Sequence, residues 1–405
     1  MTDADAIIIG AGVAGLACAV RLHEAGVRVQ VLEASDGVGG RIRSDVVDGF
    51  TLDRGFQVLL DAYPESRDLL DCDALDLRPF RAGAMVRFGG KWHDLADPMR
   101  EGWGAAVRGA FSPIATIADA FRVLSLRKRV MRTSADDLLA QPTDRPTIEH
   151  LRALGFSERI IERFFRPFLG GIYLERELAT SSRFFEFVFR MFSEGRACVP
   201  ARGMQAIPEQ LAARLPEGMV RLRTPVESLD ELSAGTVVIA TDFAAEARLL
   251  RHDSPTKWNA TCCLHYAMDA PPIDRPTLLL DSEGRGPINN ACVISNVAPG
   301  YAPAGKALLS VSVVGDSPDD EHMLEGRVRA QLRDWFGERA SAWRCLGFRR
   351  IRHALPALPA GDDARPGVRV RDGLYRCGDW LETPSTNGAL KSGRLAAEAV
   401  LADRA

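Results

Sequence analysis

Residues 6–43 of this 405-residue chain read AIIIGAGVAGLACAVRLHEAGVRVQVLEASDGVGGRIR. The apolar run over residues 6–9 is typical of a buried parallel strand. It ends at Gly10, and Gly10, Gly12 and Gly15 then form a G-x-G-x-x-G motif. The apolar residues that follow at helical spacing predict a helix. A strand, a glycine turn and a helix in this order indicate a Rossmann-type α/β unit.

The three glycines match three requirements of a nucleotide-binding turn. One allows the tight turn, one lets the backbone approach a pyrophosphate, and one lets the helix pack closely on the strand. A second apolar strand, residues 27–32, ends at Glu33, roughly 20 residues after Gly10. An acid at this place accepts hydrogen bonds from ribose hydroxyls and disfavours a 2′-phosphate. The segment therefore predicts binding of the ADP half of a dinucleotide.

The residues after Glu33 distinguish between dinucleotides. Residues 36–43, DGVGGRIR, form a second glycine turn with Arg41 beside it, where nicotinamide-binding folds usually continue with another helix and strand. Here the chain resembles the two-dinucleotide-binding-domain flavoproteins, the superfamily of amine oxidases, protoporphyrinogen oxidase and phytoene desaturase. The resemblance implies that the G-G-R segment lies against the FAD pyrophosphate and the flavin.

The other end of the chain carries a second motif that resembles the same superfamily. Residues 374–400 read LYRCGDWLETPSTNGALKSGRLAAEAV, which predicts a strand, a turn and a helix whose small residues pack against the first strand. By resemblance, Asp379 binds the ribityl or pyrophosphate region, and Leu390 supplies backbone near the flavin. A mid-chain segment resembles the superfamily's return to the FAD domain, which would place Val226 by the adenine.

The resemblance implies an α/β fold with two parts. The first is a Rossmann-like FAD-binding domain of the two-dinucleotide-binding-domain flavoprotein type. It is discontinuous and is built from residues 1–75, 196–250 and 346–405. The second is a mixed α+β substrate domain, in which residues 76–195 form a helical insert and residues 251–345 form a sheet.

The implied cofactor is non-covalent FAD. No second G-x-G-x-x-G is present to bind NAD(P)H. The residues predicted to bind FAD are Gly10, Gly12, Ala14, Gly15, Glu33, Ala34, Gly39, Gly40, Arg41, Gly55, Phe56, Val226, Gly378, Asp379, Asn387, Gly388, Ala389 and Leu390.

Catalytic residues are less evident than cofactor residues, because bound flavin accepts hydride itself and desaturation needs no acid or base. By resemblance, the segment LDRGFQVLL, which includes Asp53, Phe56 and Gln57, passes the isoalloxazine ring. His265 and His353 are the histidines that we expect nearest the site. Phe56, Gln57 and His265 are therefore the catalytic candidates, and no catalytic residue is assigned.

Composition and charge limit the kinds of partner that the protein can be expected to have. The net charge of −3 gives no reason to expect nucleic acid. The eight cysteines show no C-x-x-C or metal-ligand spacing, so we expect reduced thiols and no metal. With neither a secretory leader pattern nor an apolar run long enough to span a bilayer, we expect a cytoplasmic protein.

Two segments of the helical insert permit two interpretations each. Residues 111–132 combine apolar residues with a basic cluster, so they form either a peripheral membrane contact or an ordinary amphipathic helix with a solvated end. Residues 164–192 are rich in phenylalanine, so they either line an apolar pocket or form a core.

The main hypothesis is an FAD-dependent desaturase, dehydrogenase or oxidase that takes hydride from a largely apolar small molecule to flavin N5, with oxygen or a quinone as electron acceptor. The first alternative is a flavin amine oxidase with an atypical cage, since residues 383–387, TPSTN, lack the aromatic residue that those enzymes carry there. The second alternative is a non-catalytic binder of a prenylated partner that resembles the Rab GDP-dissociation inhibitors.

Overall fold

The computed structural model describes residues 4–97, 100, 112–251, 257–361 and 365–404. Its first sheet has six strands in the order β10-β2-β1-β11-β18-β17. All neighbours are parallel except β17, which is antiparallel to β18. Every residue of β1 and β2 is buried, as expected for parallel strands covered on both faces. The strands are β1 (Ala6–Ile9), β2 (Val29–Leu32), β10 (Val220–Arg221), β11 (Thr236–Ile239), β17 (Arg369–Arg371) and β18 (Leu374–Arg376).

The second sheet has seven strands in the order β16-β12-β15-β14-β13-β7-β8. Its pairs are antiparallel apart from β13 and β7. Its strands are β7 (Gly83–Phe88), β8 (Lys91–Ala96), β12 (Trp258–Met268), β13 (Leu278–Asp281), β14 (Asn290–Val293), β15 (Ala307–Val314) and β16 (Arg344–Pro356); two smaller sheets contain β3 (Ser44–Val47) with β4 (Phe50–Asp53), and β5 (Leu59–Leu60), β6 (Leu77–Pro79) and β9 (Ala197–Pro200).

The helices cover the sheets and fill the insert between them. One of them, α6, continues into a π-helical turn, Ile161–Phe165. In the described part of the chain they are α1 (Val13–Glu24), α2 (Pro64–Leu69), α3 (Ile117–Val130), α4 (Ala135–Leu139), α5 (Thr147–Ala153), α6 (Glu158–Ile160), α7 (Arg166–Tyr173), α8 (Ser182–Glu194), α9 (Ala206–Ala212), α10 (Phe243–Leu250), α11 (Ile294–Val297), α12 (Glu321–Phe336) and α13 (Thr386–Arg404).

The last helix, α13, packs against the first, α1. A Cβ on Gly393 would lie 2.3 Å from the Ala14 carbonyl oxygen and 2.9 Å from the Ala17 Cβ. The small residues of α13 were predicted to pack against the first strand; Gly393 packs against α1, and Ala396 and Ala397 lie in the same core as Ala6 and Ile8 of β1. Glycine and alanine are needed here because two helix backbones approach each other closely.

Three sequence segments first placed in the FAD domain meet in the first sheet, and the predicted α/β fold is confirmed. Two details of the predicted domain division differ from the sheets. The insert predicted to be helical contributes β7 and β8, joined at Gly89 and Gly90, whose φ angles are +61° and +71°. The boundary at residue 346 falls inside β16, which pairs with β12. A Gly-Gly turn between strands is a hairpin signal that could have revealed the first difference.

The phenylalanine-rich segment 164–192 forms a core. Phe184, Phe185 and Phe187 on α8 are each 1% exposed. The Phe187 ring stacks on that of Tyr63, with centroids 6.1 Å apart. The core interpretation of this segment therefore agrees with the structure.

Candidate active site

The first glycine turn joins β1 to α1, and its glycines serve different needs. Gly10 has a φ of +107°, and a Cβ there would lie 2.7 Å from the Ala240 carbonyl oxygen. A Cβ on Gly15 would lie 2.1 Å from the Gly10 carbonyl oxygen, so α1 packs on the strand only because Gly15 lacks a side chain. Gly12 differs, because nothing lies within 4 Å of the place that its Cβ would take.

The second glycine turn lies against this open side. Gly39 and Gly12 form a parallel β-bridge, and a Cβ on Gly40 would lie 3.4 Å from the Gly12 Cα. The two turns form what we call the backbone cradle, residues 10–15 with 39–41. It opens at the N-terminus of α1, where no side chain of the described residues caps the helix. Helix N-termini bind phosphate through their free N–H groups, so the cradle fits the pyrophosphate of FAD.

Glu33 directly follows β2 beside the cradle, and two backbone N–H groups hold its carboxylate. One carboxylate oxygen accepts a hydrogen bond from the Ala11 N–H at 2.7 Å, and the other accepts one from the Ser35 N–H at 2.8 Å. Each carboxylate oxygen keeps acceptor capacity for a ribose hydroxyl. The ribose contact stays a prediction, with the carboxylate already oriented for it.

Arg41 and Asp379 join the two ends of the chain. Arg41 Nη2 donates to Asp379 Oδ1 at 2.5 Å, and Nη1 donates to the Ala354 carbonyl oxygen at 3.0 Å. The guanidinium carbon lies 5.4 Å from the centre of the Trp258 ring. The sequence predicted a cofactor contact for each member of this pair. Their mutual contact shows that the buried Asp379 positions Arg41 at the edge of the cradle.

The C-terminal motif forms a turn and a helix as predicted, but several of its polar groups bind protein. Asn387 Oδ1 accepts a hydrogen bond from the Glu65 N–H at 3.1 Å. The Gly388 N–H donates to Ser385 Oγ at 3.0 Å, instead of facing the open cradle. A Cβ on Gly388 would lie 2.0 Å from the Thr383 carbonyl oxygen, which explains the glycine without a ligand. Cofactor roles for Asn387 and Gly388 stay predictions.

The remaining predicted cofactor residues lie around the first sheet and α13. Val226 packs partly buried against the apolar side chains of β1 and β2, and Leu390 is fully buried in the main core. Their contacts with FAD, like those of Ala14, Ala34, Gly378 and Ala389, stay predictions.

A cavity of about 10 Å³ lies beside the cradle. It brings together the three catalytic candidates Phe56, Gln57 and His265, which come from two distant segments. Gln57 Nε2 donates to the Arg41 carbonyl oxygen at 2.9 Å, so the wall of the cavity is joined to the cradle. The lining residues are Asp53, Gly55, Phe56, Gln57, His265, Ile294, Tyr301 and Ser310.

Burial changes the pKa of the ionisable groups at this cavity. It lowers the pKa of His265 to about 4, with a smaller contribution from Arg349, so the ring is neutral at pH 7. It raises the pKa of Asp53, whose Oδ2 accepts a hydrogen bond from the Tyr301 hydroxyl at 2.7 Å. It also raises the pKa of the Cys263 thiol, 3.9 Å from His265 Nε2, to about 12. His265 and Cys263 therefore carry no charge at neutral pH.

Sequence reasoning missed Ile294, Tyr301 and Ser310. Strand register pairs Ser310 on β15 with His265 on β12, and no sequence signal fixes the register of two strands so far apart. His353 was expected near the site, but it is exposed and stacks on Trp258 at 5.3 Å. It does not line the cavity.

The described ranges contain neither a candidate metal site nor a candidate membrane span. Among these residues, no three His, Cys, Asp or Glu side chains are grouped so as to hold a metal ion. None of the described helices has the length and apolar character needed to cross a bilayer.

Comparisons with known proteins give the family. Residues 13–401 match the model of the flavin containing amine oxidoreductases. The chain is 28% identical to hydroxysqualene dehydroxylase of Rhodopseudomonas palustris, over 98% of each chain. It is 26% identical to carotenoid phi-ring synthase of Streptomyces griseus, over 98% of this chain and 88% of the relative.

A solved structure shows the same fold over nearly the full length. An oxidoreductase from Methanosarcina mazei superposes with a TM-score of 0.74 at 19% identity, covering 98% of this chain and 99% of that one. The family match over residues 13–401 confirms the predicted resemblance. The chain belongs to the flavin containing amine oxidoreductase family and is an FAD-dependent oxidoreductase.

Proposed function

We propose that this oxidoreductase holds FAD without a covalent bond and removes hydride from a largely apolar small molecule. FAD supplies the chemistry when bound, by accepting hydride at N5. The observation that carries the proposal is the hydrogen bond from Gln57 Nε2 to the Arg41 carbonyl oxygen. Because it joins the cavity to the cradle, a substrate at the cavity lies beside the residues predicted to hold the flavin.

The character of the substrate follows from the cavity and from the relatives. Phe56 and Ile294 add apolar side chains to its lining, and the neutral His265 brings no charge, so the cavity does not favour an ionic group. The two relatives that match nearly the whole chain are named for hydroxysqualene and for carotenoids, both largely hydrocarbon. A primary amine fits less well, since residues 383–387 contribute no aromatic cage.

Two thiols near the site support non-covalent binding. Cys263 Sγ lies 3.9 Å from Nε2 of His265, which lines the cavity, and Cys377 precedes Gly378 of the C-terminal motif. Burial raises the pKa of both thiols to about 12. Attack on a flavin ring needs a thiolate, which such thiols do not supply at neutral pH.

The residues of this chain orient the substrate and exclude water. Asp53, Tyr301 and His265 are each at most 6% exposed, so the reacting C–H bond would lie in a site closed to bulk solvent. Where the reaction also releases a proton, the neutral His265 ring can accept it. The electron acceptor is oxygen or a quinone, and the rate of reoxidation in air separates the two.

The experiment is an absorption spectrum of the purified protein before and after denaturation, with Gly12→Ala as the matched variant. An alanine at this position meets no protein atom, so the variant should fold to within about 1 kcal/mol of wild type. It should lose FAD because its methyl group occupies the phosphate position. We expect a flavin spectrum in wild type only, with the flavin released on denaturation.

Two outcomes would contradict parts of this proposal. A wild type that stays colourless after FAD is added would overturn flavin-dependent chemistry. Flavin that precipitates with the denatured protein would overturn non-covalent binding.

The proposal includes a cytoplasmic protein that touches a membrane surface through α3. Ile117, Phe121 and Leu124 are 60%, 69% and 43% exposed, and their spacing places them on one face of the helix. Lys128 continues that face. An exposed apolar stripe that ends in basic residues is typical of interfacial helices on anionic lipid. The predicted stretch begins at residue 111, which lies outside the described residues, and its Ile114 and Leu126 are buried.

Cosedimentation with vesicles tests this contact. We expect binding to vesicles with anionic lipid, less binding to zwitterionic ones, and loss of binding in the double variant Phe121→Gln/Leu124→Gln. Val46→Gln is the control, because Val46 is an exposed apolar residue, 76% accessible, on β3. Wild type that stays in the supernatant with both lipids would reject the membrane contact.

A further inference from the structure

In the Gln57 side chain the amide nitrogen has hydrogen-bond partners, whereas the amide oxygen has none among the described residues. Its Nε2 donates to the carbonyl oxygens of Arg41 at 2.9 Å and Arg54 at 3.4 Å. Two acceptors around one atom fix the orientation of the amide, because only the nitrogen can donate. Gln57 Oε1 is buried and has no hydrogen-bond partner among the described residues. A buried acceptor without a hydrogen bond favours a ligand that carries a hydrogen-bond donor.

The cavity that Gln57 lines limits the size of that donor. Its volume of about 10 Å³ holds one small group and excludes a hydrocarbon chain. His265 and Ser310 lie on the same wall, side by side in register on β12 and β15. The cavity therefore fits the polar end of a molecule whose apolar part lies outside it.

The charge state of the cavity selects a neutral donor. Asp53 is the carboxyl group of the lining, and its oxygens are already used. Oδ1 accepts from the Ser44 hydroxyl at 2.5 Å and the Met204 N–H at 3.0 Å, and Oδ2 accepts from the Tyr301 hydroxyl at 2.7 Å. Burial also keeps His265 neutral. An ammonium group would find no free carboxylate on this lining, whereas a hydroxyl needs none.

We propose that the cavity binds the hydroxyl group of a largely apolar alcohol, and that Gln57 Oε1 accepts its hydrogen bond. The inference rests on the proposed function, since it places the alcohol beside the residues predicted to hold the flavin. It makes Gln57 a specificity residue, which separates an alcohol from the hydrocarbon of the same length.

The test measures binding of decanol and decane to the purified holoenzyme, by the change in flavin absorption and in tryptophan fluorescence. One hydrogen bond to a buried acceptor predicts that decanol binds about five- to tenfold more tightly than decane. In Gln57→Met, which keeps a similar volume and loses the acceptor, the two affinities should become equal. Ile294→Val, in the same cavity, removes one methyl group and keeps the Gln57 acceptor, so the ratio of the two affinities should stay as in wild type.

A third ligand tests the proposal in the wild-type protein alone, without any variant. Decyl methyl ether accepts hydrogen bonds but cannot donate one to Gln57 Oε1, so wild type should bind it less tightly than decanol. Ether binding as tight as that of decanol would overturn the proposal, and so would an equal affinity of wild type for decanol and decane.

Two further outcomes distinguish this inference from the proposed function. If Gln57→Met changes the flavin spectrum or the FAD affinity without added ligand, Gln57 contacts the cofactor and the hydroxyl site is rejected. If the wild type holds no flavin, the proposed function fails, while tryptophan fluorescence still reports whether the protein prefers the alcohol.

Discussion

The backbone cradle and the cavity beside it are built on different principles. In the cradle the decisive feature is the absence of side chains, since Gly10 and Gly15 leave no room for a Cβ and Gly12 leaves space for a ligand. At the cavity the decisive feature is the presence of side chains, such as His265 and Tyr301, whose chemistry burial has changed. The difference teaches that a pair of glycine turns can be encoded in local sequence, while the lining of a neighbouring cavity depends on the whole fold.

The largest effect should come from Gly15→Ala. Its methyl group would lie 2.1 Å from the Gly10 carbonyl oxygen, so α1 must move away from β1. We expect the free energy of unfolding to fall by about 3 kcal/mol, measured by urea denaturation. Gly12→Ala, three residues away, should cost less than about 1 kcal/mol. Equal losses of stability in the two variants would contradict the distinction between Gly15, which packs against protein, and Gly12, which faces open space.

The next effect tests the cavity through pH. The pKa of His265 falls from 6.5 when exposed to about 4 in the fold, so below pH 6.5 the unfolded chain takes up a proton that the folded chain refuses. Stability from this group is complete above pH 6.5 and decreases as the pH falls toward 4, by about 3 kcal/mol. Charged groups that face the ring are Arg349 and Asp45.

Urea denaturation of wild type and His265→Gln between pH 4 and pH 7 measures this contribution. The variant should lose less stability than wild type over that interval, because its side chain does not titrate. Parallel pH curves would mean that the pKa of His265 is the same in the folded and the unfolded chain and that burial does not control it.

A smaller effect is expected from Tyr301→Phe. The variant leaves Asp53 Oδ2 without its hydroxyl donor, and the loss of one buried hydrogen bond should lower the free energy of unfolding by about 1–2 kcal/mol. Tyr375→Phe is the matched control, because its hydroxyl donates to Asp403 in the solvent-exposed last turn of α13. A larger loss in the control would contradict the importance given to burial at the cavity.

The smallest effect has the opposite sign. Gly326 lies in the middle of α12, is exposed, and has no atom within 4 Å of the place of a Cβ. Gly326→Ala should therefore raise the free energy of unfolding by about 0.5–1 kcal/mol. A loss of stability here would show that open space around a glycine does not predict that alanine is tolerated there. It would also weaken the expectation that Gly12→Ala folds like wild type.

The sequence was a good guide where a local pattern has one structural solution. The strand at residues 6–9, the three glycines and the C-terminal strand, turn and helix are all found as predicted. The partner of α13 and the use of the Gly388 N–H were not predictable, because both depend on contacts with distant residues. The same holds for the pairing of His265 with Ser310, which is a matter of strand register.

The position of β1 in the first sheet has a consequence for synthesis on the ribosome. β1 lies between β2, which follows it at once, and β11, which begins at residue 236. At a translation rate of about 5–20 residues per second, β11 is synthesised roughly 10–45 s after β1. During that time an apolar strand edge is open to wrong partners. The nascent chain is therefore most vulnerable to aggregation before the first sheet is complete. Chaperones that cover β1 and β2 during this time should raise the yield of folded protein.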